Sequence, residues 1–214
     1  MADSTKVWAA TIPQDGAAVF AAPKGTALPT DATADLDAAF VDLGWVSEDG
    51  VMNSIRREVT RHKAWGGDTV KTTQDNYEES FKLALLETTA AVLGVIYGED
   101  NVVETADTLS VMHSSLMLKR QSFVIEFIDG DSTGRIVIED GLVVELEDVQ
   151  YSHKELLSYG ITVDVYKPAD GSAAVKQYYS LGTGTAVVPN PAIAPKSDAT
   201  VVSKTAAGTK TSEV

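Results

Sequence analysis

Apolar and polar positions follow two different periods along this chain, and the switches between them mark its elements. Leu36, Ala39, Phe40 and Leu43 keep the spacing of one helix face, with Asp35 and Asp37 in the favourable first turn. That spacing predicts a short helix from about Thr33 to near Gly44. From Trp45 the period becomes two: Ile55 and Val59, then Phe81, Leu83 and Leu85, alternate with polar or small neighbours as half-buried strands do. Between them Arg61-His62-Lys63-Ala64-Trp65-Gly66-Gly67-Asp68 reads as a loop holding a large aromatic beside paired glycines. A second helix is predicted over residues 90–97, with Thr88 or Thr89 as N-cap and Gly98 as the stop. Its apolar residues surround the axis, so it should be buried on nearly all sides, in the core or at a subunit contact.

The second half alternates almost throughout. Phe123, Ile125 and Phe127 form one row, Asp129-Gly130 turns the chain, and Ile136 and Ile138 follow. Asp140-Gly141 then predicts a second turn before Leu142, Val144 and Leu146, giving a three-strand meander. Leu157, Tyr159, Ile161, Val163 and Val165 predict a further strand, residues 168–171 a turn, and residues 175–179 a closing strand. Residues 1–32, interrupted by Pro13, Pro23 and Pro29, read as an extended N-terminal arm with a possible short strand at residues 18–21. Residues 33–181 then make up the β domain, and residues 182–214 a low-complexity, flexible C-terminal tail. The expected class is mostly β with a flanking helix.

Composition narrows the possibilities without choosing among them. The chain has 214 residues, 44% of them hydrophobic and 22% charged, enough for one domain with a core that needs no staples. It has no cysteine, which removes disulfides and thiolate metal sites. Residues 90–97, its longest apolar run, are far too few to span a bilayer, and the first residues do not read as a signal peptide. A soluble protein made in the cytoplasm, with no membrane partner, is the expectation.

Charge is distributed unevenly. The formal net charge is −14, and residues 122–148 hold eight acids against the single base Arg135, a net −7. Residues 53–71 carry the opposite sign, with five bases against two acids, a net +3. An acidic chain argues against a nucleic-acid reader, which needs Lys and Arg to displace counterions, but not against a surface along which DNA slides without sticking. The two segments read either as a dipole paired within the chain or as complementary surfaces meeting head-to-tail between copies.

Motifs for catalysis fail on their contexts. Gly130-Asp131-Ser132-Thr133-Gly134 matches the serine-hydrolase pattern, but that chemistry needs a strand-to-helix turn with a histidine in reach, and this serine lies inside a hairpin. Residues 129–140 imitate a calcium loop but are flanked by strands and end in Asp140 rather than a bidentate glutamate. His62, His113 and His153 have no metal-ligand spacing, and Gly182-Thr183-Gly184 has neither the lysine nor the following helix of a phosphate loop. Glu78-Glu79 and Glu139-Asp140 are adjacent on strands and so point to opposite faces. No enzyme activity, cofactor or metal is expected.

The run Leu36-Asp37-Ala38-Ala39-Phe40-Val41-Asp42-Leu43-Gly44-Trp45-Val46-Ser47-Glu48-Asp49-Gly50-Val51, with Trp65-Gly66-Gly67-Asp68 and Phe81-Lys82-Leu83-Ala84-Leu85-Leu86-Glu87-Thr88, resembles the major tail proteins of long-tailed, non-contractile actinobacterial bacteriophages. The Gly134-Arg135-Ile136-Val137-Ile138 and Tyr159-Gly160-Ile161-Thr162-Val163 strands follow the same layout, and the resemblance covers roughly residues 16–181. It implies a tail-tube β-sandwich or barrel whose strands pair across subunits in a hexameric ring, and rings that stack head-to-tail into a virion tube assembled in the host cytoplasm. DNA would pass through the lumen without specific binding, and tape-measure, tail-tip and tail-terminator proteins would be partners. By position, Arg61, His62, Lys63, Trp65, Gly66, Gly67 and Asp68 match the family's inter-ring loop, with Trp65 as apolar anchor. Glu126 and Glu139, which point away from the apolar rows, are the expected lumen carboxylates. The competing reading is a monomeric calcium- or carbohydrate-binding β-sandwich using residues 129–140 and the aromatics Trp65, Tyr178 and Tyr179. A hydrolase using Ser132 ranks below it.

Overall fold

The structure, a computed structural model, describes residues 6–13, 16–169 and 171–182. The strands are β1 (Val19–Pro23), β2 (Val41–Asp42), β3 (Val46–Lys63), β4 (Thr69–Leu85), β5 (Val102–Glu104), β6 (Leu109–Val111), β7 (Gln121–Asp129), β8 (Ser132–Leu146), β9 (Tyr159–Val165) and β10 (Val175–Ser180). Helix α1 (Ala90–Tyr97) sits between β4 and the small β5–β6 hairpin. The main sheet runs β2-β1-β7-β8-β9-β4-β3 with antiparallel neighbours, and β10 pairs β8 beyond the end of β9. The class is mostly β with one short flanking helix, as the periodicity predicts.

One buried cluster gathers Val19 of β1, Phe123 and Ile125 of β7, Ile138 of β8, Phe81 and Leu85 of β4, Ile161 and Val163 of β9, and Val92, Leu93, Val95 and Ile96 of α1. Strands from both ends of the sheet share that cluster, so the sheet curls over α1, with β8 as the strand common to both halves. The helix forms where its caps predict. Thr89 Oγ accepts the Val92 N–H at 3.3 Å, and the Gly98 N–H donates to the Gly94 carbonyl at 2.9 Å, with Gly98 at a φ of 97° that favours glycine. Its even apolar coating is explained by burial on all sides.

Three expectations change. No helix forms over residues 33–44. Asp31 Oδ1 accepts the N–H groups of Thr33 and Ala34, Asp37 that of Ala39, and Asp42 that of Gly44. These short carboxylates bend the chain locally and outcompete the helix, leaving Val41 and Asp42 to pair with β1. The second Asp-Gly is not a turn either. β8 runs straight through Asp140 and Gly141, so the three-strand meander is two strands. A β-carbon on Gly141 would lie 2.8 Å from the Phe123 ring, so glycine is there for close approach at an irregular register. The first Asp-Gly does turn the chain, with Asp129 paired to Ser132 across it.

The third change is at the N-terminus. The stretch expected as an arm does carry the short strand read at residues 18–21, as β1, but that strand lies inside the sheet between β2 and β7 and buries Ala18, Val19, Ala21 and Ala22. Residues 9–11 also lie along the end of β7, where Thr11 and Ile128 exchange backbone hydrogen bonds of 2.9 and 2.8 Å. The expected tail beyond residue 182 lies outside the described residues.

Candidate functional site

The feature the core does not explain is a long β-hairpin. β4 pairs with β9 only from Ser80 to Leu85, so residues 69–79 of β4 and 55–63 of β3 pair with each other alone. At about 3.3 Å per residue this two-stranded projection is roughly 35 Å long. Such a ribbon buries too little to be stable without a supporting surface. Ile55 and Val59, expected half-buried, are instead exposed, as are Met52, Val70 and Tyr77.

The projection has two unlike faces. Alternation along β3 sets Ile55, Arg57, Val59, Arg61 and Lys63 on one face, with Glu79 and Tyr77 opposite Ile55 and Arg57. The Arg57 guanidinium stands 5.1 Å over the Tyr77 ring, and buried Glu79 accepts from Asn53 and from the Tyr77 hydroxyl. This face is apolar and basic. On the other, polar groups satisfy one another: Arg56 pairs with Glu58, Asn76 donates to Glu78, and Thr60 and Thr73 donate to Asp75. Among the described residues Arg61, Lys63 and Lys71 make no ion pair.

Arg61, His62 and Lys63 therefore belong to the end of β3, and the loop itself is residues 64–68. It is closed by Ala64 N–H to Asp68 O at 2.8 Å and Gly67 N–H to Ala64 O at 2.9 Å, with Gly67 at a φ of 94°. At its apex Trp65 is fully exposed, 106% of its reference area. Among the described residues nothing covers the indole.

The acidic segment is another matter, because folding neutralises much of it. Glu126 meets Arg135 at 2.6 Å, Glu139 meets Lys176 at 3.4 Å, Asp140 meets Lys24 and Arg120, and Glu147 meets Lys82. Arg135 is only 5% exposed and also donates to the carbonyls of Asp31 and Ala34, so Glu126 belongs to a structural charge cluster. Glu139 is about one-third exposed and keeps more of its field. Lys24, Lys82 and Lys176 come from distant parts of the chain and Arg120 lies just before the segment, and no reading of the segment alone could pair them with its acids. None of the bases in residues 53–71 pairs with these acids among the described residues.

The rival sites do not assemble. Asp140 is 1% exposed and lies along the same strand, roughly 25 Å from Ser132, so residues 129–140 cannot close around one cation. Ser132 Oγ accepts the Gly182 N–H at 3.0 Å. Trp65 stands at the hairpin tip, whereas Tyr179 packs edge-on against Trp8 and Phe127 at 5.6 and 6.1 Å between centroids, so the aromatics form no common platform. No helix among the described residues is long and apolar enough to cross a membrane.

Among curated proteins none matches the chain. A solved structure, the tube-terminating cap of the anti-feeding prophage, aligns over 84% of this chain and 100% of its own, with a TM-score of 0.39 and 9% identity. That likeness is too loose to carry weight. The family model described as phage tail tube protein, by contrast, matches residues 6–186, from before β1 to beyond β10. That match spans the sheet, the helix and the hairpin, and the chain belongs to the phage tail tube protein family.

Proposed function

We propose that this chain is the tube subunit of a long, non-contractile phage tail: six copies close a ring, rings stack head-to-tail, and DNA passes through the lumen during ejection. The observation that carries this reading is the β3–β4 hairpin, whose exposed Trp65 and apolar, basic face meet nothing beyond the hairpin itself among the described residues. A ribbon of that length is held straight by docking on another copy, as an inter-ring arm would be. Among the described residues the outer edge of β3 is also unpaired, and closing a ring by strand pairing removes such edges.

The role is structural and needs no catalytic group. Tape-measure, tail-tip and tail-terminator proteins are the partners this reading calls for, with assembly in the host cytoplasm, an actinobacterium by the sequence resemblance. Part of the acidic segment faces the lumen in this proposal, through Glu139 and, more weakly because of Arg135, Glu126. Carboxylates there repel phosphate and let the duplex move without being held.

Negative-stain images of the full chain, alone and with its tail-tip proteins, test the reading. Rings or tubes with a central hole are expected, and a chain that stays monomeric with the tip proteins present would defeat it. Glu139→Lys tests the lumen separately: tubes form, while DNA ejection slows or stalls. Unchanged ejection would remove Glu139 from the lumen.

A further inference from the structure

Trp65 needs a receptor, and the same chain carries one. A pocket of about 300 Å³ opens where α1 ends, lined by Gly94, Gly98, Glu99, Leu116, Met117 and Leu118 among others. Leu116 and Met117 are among the most exposed apolar side chains of the described residues, at 78% and 82%. Gly94 is a poor residue for the interior of a helix. A β-carbon there would meet nothing closer than 3.6 Å, so crowding does not require glycine.

The charge around this pocket complements the hairpin tip. The charged side chains lining it are Glu99, Asp100 and Lys119, and the adjoining residues 102–112 add Glu104 and Asp107 and no base. Of these acids only Asp100 is ion-paired among the described residues, to Lys119 at 2.7 Å. The hairpin end carries Arg61, Lys63 and Lys71, likewise without ion pairs among the described residues. Within one chain Trp65 touches none of the pocket, being fully exposed.

We propose that the pocket at the end of α1 receives Trp65 from the hairpin of a second copy, with Arg61 and Lys63 of that copy set against Glu99 and its acidic neighbours. The proposal rests on the tube reading and gives its hairpin a specific seat. The indole packs between Leu116 and Met117 over the two glycines, and the Glu99 carboxylate accepts its N–H. Basic residues flanking the tip then orient the ribbon, so that one end of a copy is complementary to the α1 end of the next. This contact is heterologous and repeats without closing on itself, which suits stacking along an axis.

The absence of cysteine makes the test clean. Gly66 has an ordinary backbone angle and open surroundings, so Gly66→Cys is tolerated, and Met117→Cys lies on the pocket rim. In tubes of the doubly substituted chain, mild oxidation should give a ladder of disulfide-linked multimers. Gly66→Cys combined with Val144→Cys, on exposed β8, should not. Should the variants fail to assemble, zero-length carboxyl-to-amine cross-linking of wild-type tubes reads the same contact. Lys63 or Lys71 should be joined to Glu99, Asp100, Glu104 or Asp107 of another copy. Trp65→Ala should raise the concentration needed for half-assembly at least tenfold, as losing a central aromatic anchor does. Tubes that form with neither the ladder nor those cross-links overturn the seat but leave the tube reading intact. A wild-type chain that never forms rings defeats both.

Discussion

At the scale of single residues, charge is what folding rearranges most. Glu126 and Arg135 face each other across β7 and β8, and the guanidinium is buried. Removing one partner of such a pair leaves an uncompensated charge inside. Glu126→Gln should therefore cost about 3 kcal/mol in urea unfolding, whereas Glu139→Gln, losing a longer and more exposed pair, should cost under about 1 kcal/mol. Asp164 behaves differently. Burial, and then the nearby Glu78 carboxylate, raise its carboxyl above the ordinary 3.8. A raised folded-state acid adds stability below its unfolded value and loses it as pH climbs through the folded value, so at pH 7 the charged form is a cost. Asp164→Asn should raise the thermal midpoint at pH 7, and that gain should shrink as pH falls toward 4. Midpoints measured across that range check the sign.

At the scale of elements, local signals succeed where the chain's immediate neighbours decide the outcome. Helix α1 is legible because Thr89, Gly98 and an unbroken apolar run all act within a few residues of each other. The hairpin at Asp129-Gly130 is legible for the same reason. The second Asp-Gly misleads because Gly141 answers to Phe123 and Val163, more than fifteen residues away in either direction. Gly141→Ala should cost about 1–3 kcal/mol through overpacking against those side chains, a loss seen in denaturant midpoints. If Gly141 were an ordinary turn residue, with the neighbouring rings free to move, the loss would be far smaller. The helix expected at residues 33–44 fails through competition: three aspartates bind nearby backbone N–H groups and hold the chain in turns.

At the scale of the whole molecule, the hairpin and the core are energetically separate. The buried cluster holds no residue from positions 52–80. Replacing residues 57–77 with Asn-Gly, a turn suited to a two-residue hairpin, should leave a monomer with nearly the parent melting temperature and no capacity for rings or tubes. Electron microscopy and calorimetry on the same sample separate the two properties. Assembly of the parent chain should also weaken between low and high salt, because the proposed seat sets the hairpin's bases, unpaired among the described residues, against solvent-exposed acids of another copy.

The sequence by itself determined the β class, helix α1, the strand rows of the core and the concentration of bases near Trp65, because each depends on periodicity or on residues adjacent in the chain. It also located the aromatic tip, since Trp65 beside two glycines is a local signal. Only the tertiary structure decided which charges stay available. The acidic run of residues 122–148 looks like an open negative wall until folding brings Lys24, Lys82, Arg120 and Lys176 against it. The bases of the hairpin looked like possible partners for that run, but their strands leave the sheet before reaching it. Pairing in space, set by strand order and not by distance along the chain, neutralises Glu126, Glu139, Asp140 and Glu147 of that wall internally and leaves the hairpin's basic face exposed.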